Sequence, residues 1–291
     1  MRQVLAASRP FSWVNTAYPF AAAWLMATGG RIDVTFVVGT LFFLGPYNLL
    51  MYGVNDVFDY ASDLLNPRKG GIEGALVAPA EAPAAHRRIL RSCVATTVPF
   101  VVALVVLAGR APAAGLTLAL VLFLVVAYSA PGLRFKERPV LDSATSAMHF
   151  VGPALYALVL AGADLGARTV WPVLLAFFLW GTASHAFGAV QDVRADRAGG
   201  IGSVATVLGA HRTVVAATTA YVLAALVLLA VPWPGTLAAI LPLPYAVSTA
   251  GAWSVRDADC ERANRGWRRF LWLNLVTGFL VTMLLIAVAR T

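Results

Sequence analysis

The chain has 291 residues, 59% of them hydrophobic and only 12% charged, with a mean hydropathy of +0.75. That excludes an ordinary soluble globular domain, which carries roughly 25% charged residues. The net charge of +8 does not indicate nucleic acid as a partner, because Arg and Lys fall in short segments between apolar runs, where they set membrane orientation. The two cysteines, Cys93 and Cys260, give neither a disulfide framework nor metal-ligand spacing.

Apolar runs of the ~20 residues needed to cross a bilayer recur from end to end. They predict an all-α polytopic membrane bundle of about nine transmembrane helices, forming a single domain over residues 1–291. The expected spans are 12–29, 34–54, 90–108, 112–130, 141–162, 169–190, 213–231, 235–254 and 269–289. Arg2 and Arg9 precede the first span without a convincing cleavage site, so it reads as an uncleaved helix and not as a signal peptide.

Segments after the second, fourth, sixth and eighth spans are polar, and those after the others are short. Most Lys and Arg lie in the N-terminal arm and the four polar segments. Arg31, Arg110, Arg168 and Arg290 fall on the opposite side. By the positive-inside rule the N-terminus is cytoplasmic, in a multi-pass protein of the cell membrane. Nearly all the acids lie on that same side, so a site built from them opens toward the cytoplasm.

The second span ends in GVNDVFDYASD (53–63). Taken as a helix at 100° per residue, Asp56, Asp59 and Asp63 lie within about 60° of one another. The sixth span ends in QDVRAD (191–196), where Asp192 and Asp196 are one turn apart. Carboxylates at the membrane boundary are costly. Oxygen-only ligands suit a hard cation such as Mg²⁺, which keeps several waters and bridges a few carboxylates to phosphate oxygens. Two such sets predict a diphosphate held between them by metal ions.

Basic residues complete the pattern. Arg68 and Lys69 lie in NPRKGGIEGALVAP (66–79), and Arg134 and Lys136 in YSAPGLRFKERP (128–139). Cations there would neutralise a leaving diphosphate, and the paired glycines would let backbone amides approach it. Asn48, Tyr52, Asn55 and Asp59 repeat at four- and three-residue steps, a polar stripe down the second span. His185 lies two turns before Asp192 on roughly the same face. A lone His or Asn in a membrane bundle more often makes an inter-helix hydrogen bond than a substrate contact. His149, Asn15 and Tyr18 are further polar candidates of that kind.

The paired motifs resemble those of the UbiA-type intramembrane prenyltransferases. NDVFDYASD (55–63) resembles the first aspartate-rich motif, and DVRAD (192–196) the second. YSAPGLRFK (128–136), including Tyr128, resembles the loop joining the halves. Gly202, Thr206 and Gly209 in GIGSVATVLG resemble the stretch after the second motif. The chain departs from the quinone-type pattern at NPRKGGIEGAL. There, and in SRPFSWVNTAYPF (8–20) and LGPYNLLMYGVNDVFDY (44–60), it is most similar to the lycopene elongases of C50 carotenoid synthesis.

The resemblance implies Mg²⁺ on Asp56, Asp59, Asp63, Asp192 and Asp196. Asn55, Asp59 and Asp192 would be catalytic. Arg68, Lys69, Tyr128, Arg134, Lys136, Asn48, Tyr52 and His185 would contact substrate. The substrates it implies are dimethylallyl diphosphate and a lipophilic, carotenoid-like acceptor taken from membrane lipid. Association with other membrane proteins of the carotenoid pathway is a further expectation. The competing readings are a family member acting on a quinone precursor, chlorophyllide or another acceptor, a CDP-alcohol phosphotransferase, and an ion-coupled transporter. The signature of the CDP-alcohol enzymes is absent, and transporters place coupling carboxylates nearer the bilayer midplane.

Overall fold

A computed structural model describes residues 2–64, 77–109 and 111–290. Among these the secondary structure is entirely helical. The chain packs as two compact units, Met1–Phe135 with Gly152–Ala163, and Lys136–Val151 with Asp164–Thr291.

The first unit contains α1 (Arg2–Ala7), α2 (Trp13–Thr28), α3 (Val34–Leu44), α4 (Pro46–Phe58), α5 (Tyr60–Asp63), α6 (Ala82–Ala108) and α7 (Pro112–Ser129). It also includes the C-terminal part of α8 (Leu141–Leu160). Asp33 caps α3 by accepting the Phe36 N–H at 3.0 Å, and Pro112 starts α7, where its missing N–H has no helical partner to lose. The core is aromatic. Phe20, Phe42, Phe43, Tyr47 and Tyr156 are fully buried, with Phe43 4.9 Å from Phe42, 5.0 Å from Tyr47 and 5.2 Å from Phe20 between ring centroids.

The second unit holds the N-terminal part of α8, α9 (Val170–Val190), α10 (Val193–Ala198), α11 (Val204–Leu208), α12 (Ala210–Leu228), α13 (Leu243–Ala250) and α14 (Asn264–Val288). Its aromatic centre includes Tyr221, Tyr245, Trp180, Trp267 and Phe270, with Trp267 stacked on Phe270 at 4.7 Å. Gly181 lets α9 approach α8 closely, since a Cβ there would lie 3.0 Å from that of Ala147. Gly266 does the same for Phe187, whose ring would lie 2.6 Å from an added Cβ.

Seven of the expected spans are helices long and apolar enough to cross a membrane among the described residues. The other two positions hold shorter helices, the 16-residue α2 and an apolar stretch over Gly235–Ala250. Val94, Val98, Val102 and Val105 form an exposed apolar stripe on α6. Trp272, Leu275, Val276 and Phe279 do so on α14. Such stripes are expected of helices facing lipid. The chain is a multi-pass membrane protein.

Two boundaries differ from the expected ones. The third span starts at Ala82 and not at 90, because the helix runs on through His86, Arg87, Arg88 and Arg91, whose charges end the apolar run without ending the helix. The second span is broken at Gly45–Pro46, where proline has no N–H to donate and crowds the preceding turn. Asn48 repairs the break. It is fully buried, and its amide donates to the Phe43 carbonyl at 2.8 Å, the Leu44 carbonyl at 3.2 Å and the Thr16 hydroxyl at 2.6 Å. Thr16 in turn donates to the Phe43 carbonyl at 2.6 Å, tying α2 to the same break. Asn48→Ala would leave these groups short of partners. The expected cost is about 1–2 kcal/mol, read as a lower unfolding temperature in detergent.

Candidate active site

The first acidic set forms where α4 gives way to α5. Asp59 is the residue between them, yet backbone bonds from Asp59 N–H to the Asn55 carbonyl and from Asp63 N–H to the Asp59 carbonyl, both 2.9 Å, carry the helical winding through. Asp56, Asp59 and Asp63 therefore follow one another at helical steps despite the interruption.

Asp59 is 2% exposed at the end of an apolar helix. Its Oδ2 accepts the Ser129 hydroxyl at 3.3 Å, and its Oδ1 lies 3.8 Å from Nη2 of Arg134. Arg134 reaches it from a tight turn after α7, in which the Leu133 and Arg134 N–H groups both donate to the Ala130 carbonyl. That turn holds Arg134 at φ 42°, a left-handed conformation uncommon for a residue with a side chain. Backbone strain of this sort tends to be retained where it aims a functional group. Tyr128 is half-buried in the last turn of α7, beside Ser129.

Asp56 is held by Arg9, whose Nη2 donates to Oδ1 at 3.0 Å while the guanidinium lies 4.4 Å from the Tyr52 ring centroid. Guanidinium stacking on an aromatic face is a favourable use of such a cation. Arg9 lies in SRPFSWVNTAYPF and Ser129 in YSAPGLRFK, stretches that carry the family resemblance, but neither residue is singled out there as a contact of the acids. Tyr60 donates to the Val77 carbonyl at 2.7 Å and packs edge-on against His86. Asn55 and Asp63 are half-buried. Arg68 and Lys69 lie outside the described residues.

In the second unit α9 ends at Val190, and Asp192 sits at the N-terminal edge of α10, with Asp196 inside it. The Asp196 N–H donates to the Asp192 carbonyl at 2.8 Å, and both residues are half-buried. The glycines after the motif hold its flank together. A Cβ on Gly202 would lie 2.6 Å from the Glu137 carbonyl oxygen. Ser203 and Thr206 form a reciprocal cap on α11. Gly209 takes φ 80° at the start of α12, where Asp257 accepts the Ala210 N–H at 2.6 Å and also pairs with Arg197.

Lys136 lies in the second unit in a short 3₁₀ turn, so Arg134 and Lys136 do not belong to the same unit. His185 is half-buried on α9, with Nδ1 3.1 Å from the Ser143 hydroxyl of α8.

Among the described residues no three His, Cys, Asp or Glu side chains converge as a closed metal cage. Mg²⁺ does not need one, because it binds through one or two carboxylates and fills its shell with water and phosphate oxygens. The donors at both helix ends are oxygen-only, and Asp59 is a nearly inaccessible carboxylate at the end of an apolar helix. This donor chemistry fits Mg²⁺ with a diphosphate.

Residues 16–276 match the UbiA prenyltransferase family. The chain is 56% identical over 280 residues to the C(50) beta-cyclic carotenoids biosynthesis protein LbtBC of Dietzia sp., covering 96% of this chain and 63% of that longer relative. It is 46% identical over 288 residues to a lycopene elongase/hydratase of Corynebacterium glutamicum, covering 99% of this chain and 98% of the relative. A UbiA homolog from Archaeoglobus fulgidus bound to GPP and Mg²⁺ superposes with a TM-score of 0.68 at 17% identity, over 94% of this chain and 99% of that one. The same homolog bound to DMAPP and Mg²⁺ gives 0.65 at 17% identity, over 94% and 98%. At that identity the structures speak for the fold, while the sequence matches carry the family. This chain belongs to the UbiA prenyltransferase family.

Proposed function

We propose that the protein transfers dimethylallyl groups from dimethylallyl diphosphate to the ends of lycopene, in a Mg²⁺-dependent step of C50 carotenoid synthesis. The observation that carries the donor half is the buried Asp59 carboxylate, held beside Ser129 and Arg134 at the end of an apolar helix. Such a helix end offers one charged and one oily environment, which is what a prenyl diphosphate presents. The acceptor half is supported by the near full-length likeness to a lycopene elongase/hydratase.

In this reading Asp56, Asp59, Asp63, Asp192 and Asp196 supply the oxygen ligands for Mg²⁺, with Asn55 orienting the first set. The bound metal supplies Lewis-acid stabilisation of the leaving diphosphate. Arg134 and Lys136 add positive charge to the departing group, a form of electrostatic stabilisation that is usually the largest part of such catalysis. Arg68 and Lys69 are proposed for the same task. Arg9 holds Asp56 and keeps that carboxylate charge-balanced. Tyr128 and Tyr52 border the donor, and the apolar spans exclude water from the allylic cation. The site opens on the side of the N-terminus, proposed as cytoplasmic.

Isolated membranes given labelled dimethylallyl diphosphate and lycopene should form prenylated carotenoid. Excess EDTA should remove at least 90% of that activity, and Mg²⁺ should restore it. Full activity after chelation would contradict the metal-bound donor. Transfer only to an aromatic acid would overturn the acceptor.

A further inference from the structure

Attack of an acceptor double bond on the donor's allylic carbon breaks the C–O bond, and the electron pair leaves with diphosphate. The new C–C bond puts a positive charge on the other alkene carbon. A neutral product then forms by loss of a proton from a neighbouring carbon, the C–H pair becoming a new double bond, or by addition of water, which itself gives up a proton. The metal-binding carboxylates are committed to Mg²⁺, and a chamber that excludes water offers no bulk base. The acceptor of that proton is either the departing diphosphate or a side chain set below the acids.

Resting on the prenyl-transfer reading, we propose that His185 is this proton acceptor, oriented by Ser143 and charge-balanced by Asp142. All three lie in the second unit. The contact of Gly181 with Ala147 brings α9 and α8 together. One turn along each helix, in opposite directions, that approach places the His185 ring on the Ser143 hydroxyl at 3.1 Å.

Asp142 is 0% exposed. Its Oδ2 accepts the Val204 N–H at 2.9 Å, and its buried Oδ1 has no hydrogen-bond partner among the described residues. Asp142 adjoins Ser143, whose hydroxyl meets the His185 ring. A role in anchoring the N-terminus of α11 accounts for one carboxylate oxygen only. A buried carboxylate with a spare oxygen, one residue from the hydroxyl that meets the histidine ring, is arranged to stabilise an imidazolium once it forms.

The location suits the chemistry. His185 is seven residues before Asp192, and α9 runs five residues on from it to Val190, about 7.5 Å of helix at 1.5 Å per residue. The reacting carbons of a short prenyl donor hang below its diphosphate by a comparable length. The other histidines are placed differently. His86 packs against Tyr60 in the first unit, His149 is 4% exposed, and His211 bonds to the Trp253 carbonyl.

The test uses the full-length protein in membranes, with dimethylallyl diphosphate and lycopene. His185→Gln and His185→Ala should each cut turnover about 100-fold or more, the range of a lost general base. Binding of dimethylallyl diphosphate with Mg²⁺ should stay within about threefold of the parent. Added imidazole should recover a substantial part of the His185→Ala loss. Ser143→Ala should lower kcat severalfold with little change in KM for the donor.

Undiminished turnover in His185→Gln would hand the proton to the departing diphosphate and overturn the proposal. Donor binding lost in step with turnover, or no response of His185→Ala to imidazole, would also overturn it. If the parent protein makes no prenylated carotenoid, the failure belongs to the proposed function and not to His185.

Discussion

Replacing Asp59 by Asn should reduce prenyl transfer by about 100-fold or more, with the protein still inserted and folded. The substitution preserves shape and still accepts the Ser129 hydroxyl. It removes the negative charge that sits 3.8 Å from Arg134 and is proposed to bind the metal. Asp192→Asn should act the same way, because each set is proposed to hold Mg²⁺ that binds the same diphosphate. Amount and insertion are checked by membrane fractionation, and activity by labelled-donor transfer. Combining the two should add little beyond either alone, since residues acting as one unit are strongly non-additive. A double variant that retains wild-type transfer would contradict the assignment of both motifs.

The second large effect is structural. Gly39→Val puts a branched side chain where a Cβ alone would come 2.0, 2.4 and 2.9 Å from three atoms of the Phe20 ring. The ring has little freedom to retreat, because it is fully buried against Phe43, Tyr156 and Trp24. Overpacking of this kind costs about 1–3 kcal/mol or more. The detergent melting temperature should fall by about 5 °C or more. Gly115→Ala is the matched control, since nothing lies within 4 Å of its added Cβ, and it should be neutral or slightly stabilising. Equal destabilisation by both would mean that the glycines matter for backbone freedom and not for the close approach at Phe20.

What was legible in the sequence follows from what periodicity and spacing encode. Long apolar runs fix membrane helices regardless of their neighbours, so most spans were readable. Acids spaced by three and four residues at a span's end predict a helical row of carboxylates, and the winding through Asp59 keeps that spacing. Arg134 was expected from its motif, and the structure brings it to Asp59.

Other features depend on residues far apart in the chain. Arg9 meets Asp56 across 47 positions and Ser129 meets Asp59 across 70, contacts that no local pattern announces. Asn48 sits on the expected polar stripe, but its amide is spent on the Gly45–Pro46 break. The stripe was visible in the sequence, whereas the need for repair appears only once the helix is seen to break there. The burial of Asp142 has no local sequence signal, because it comes from the packing of Val204 and the helices around it. Gly202 and Gly209 stood out by resemblance. The structure adds why glycine is needed at each: a backbone oxygen 2.6 Å from an added Cβ, and a φ of 80°.

Mass analysis of pigments from a lycopene-producing host expressing the chain tests the proposed addition of five-carbon units to a carotenoid. Lycopene should be lost and new carotenoids heavier by one and two five-carbon units should appear, absent when Asp59→Asn is expressed instead. Unchanged lycopene in the presence of inserted protein and available dimethylallyl diphosphate would contradict it.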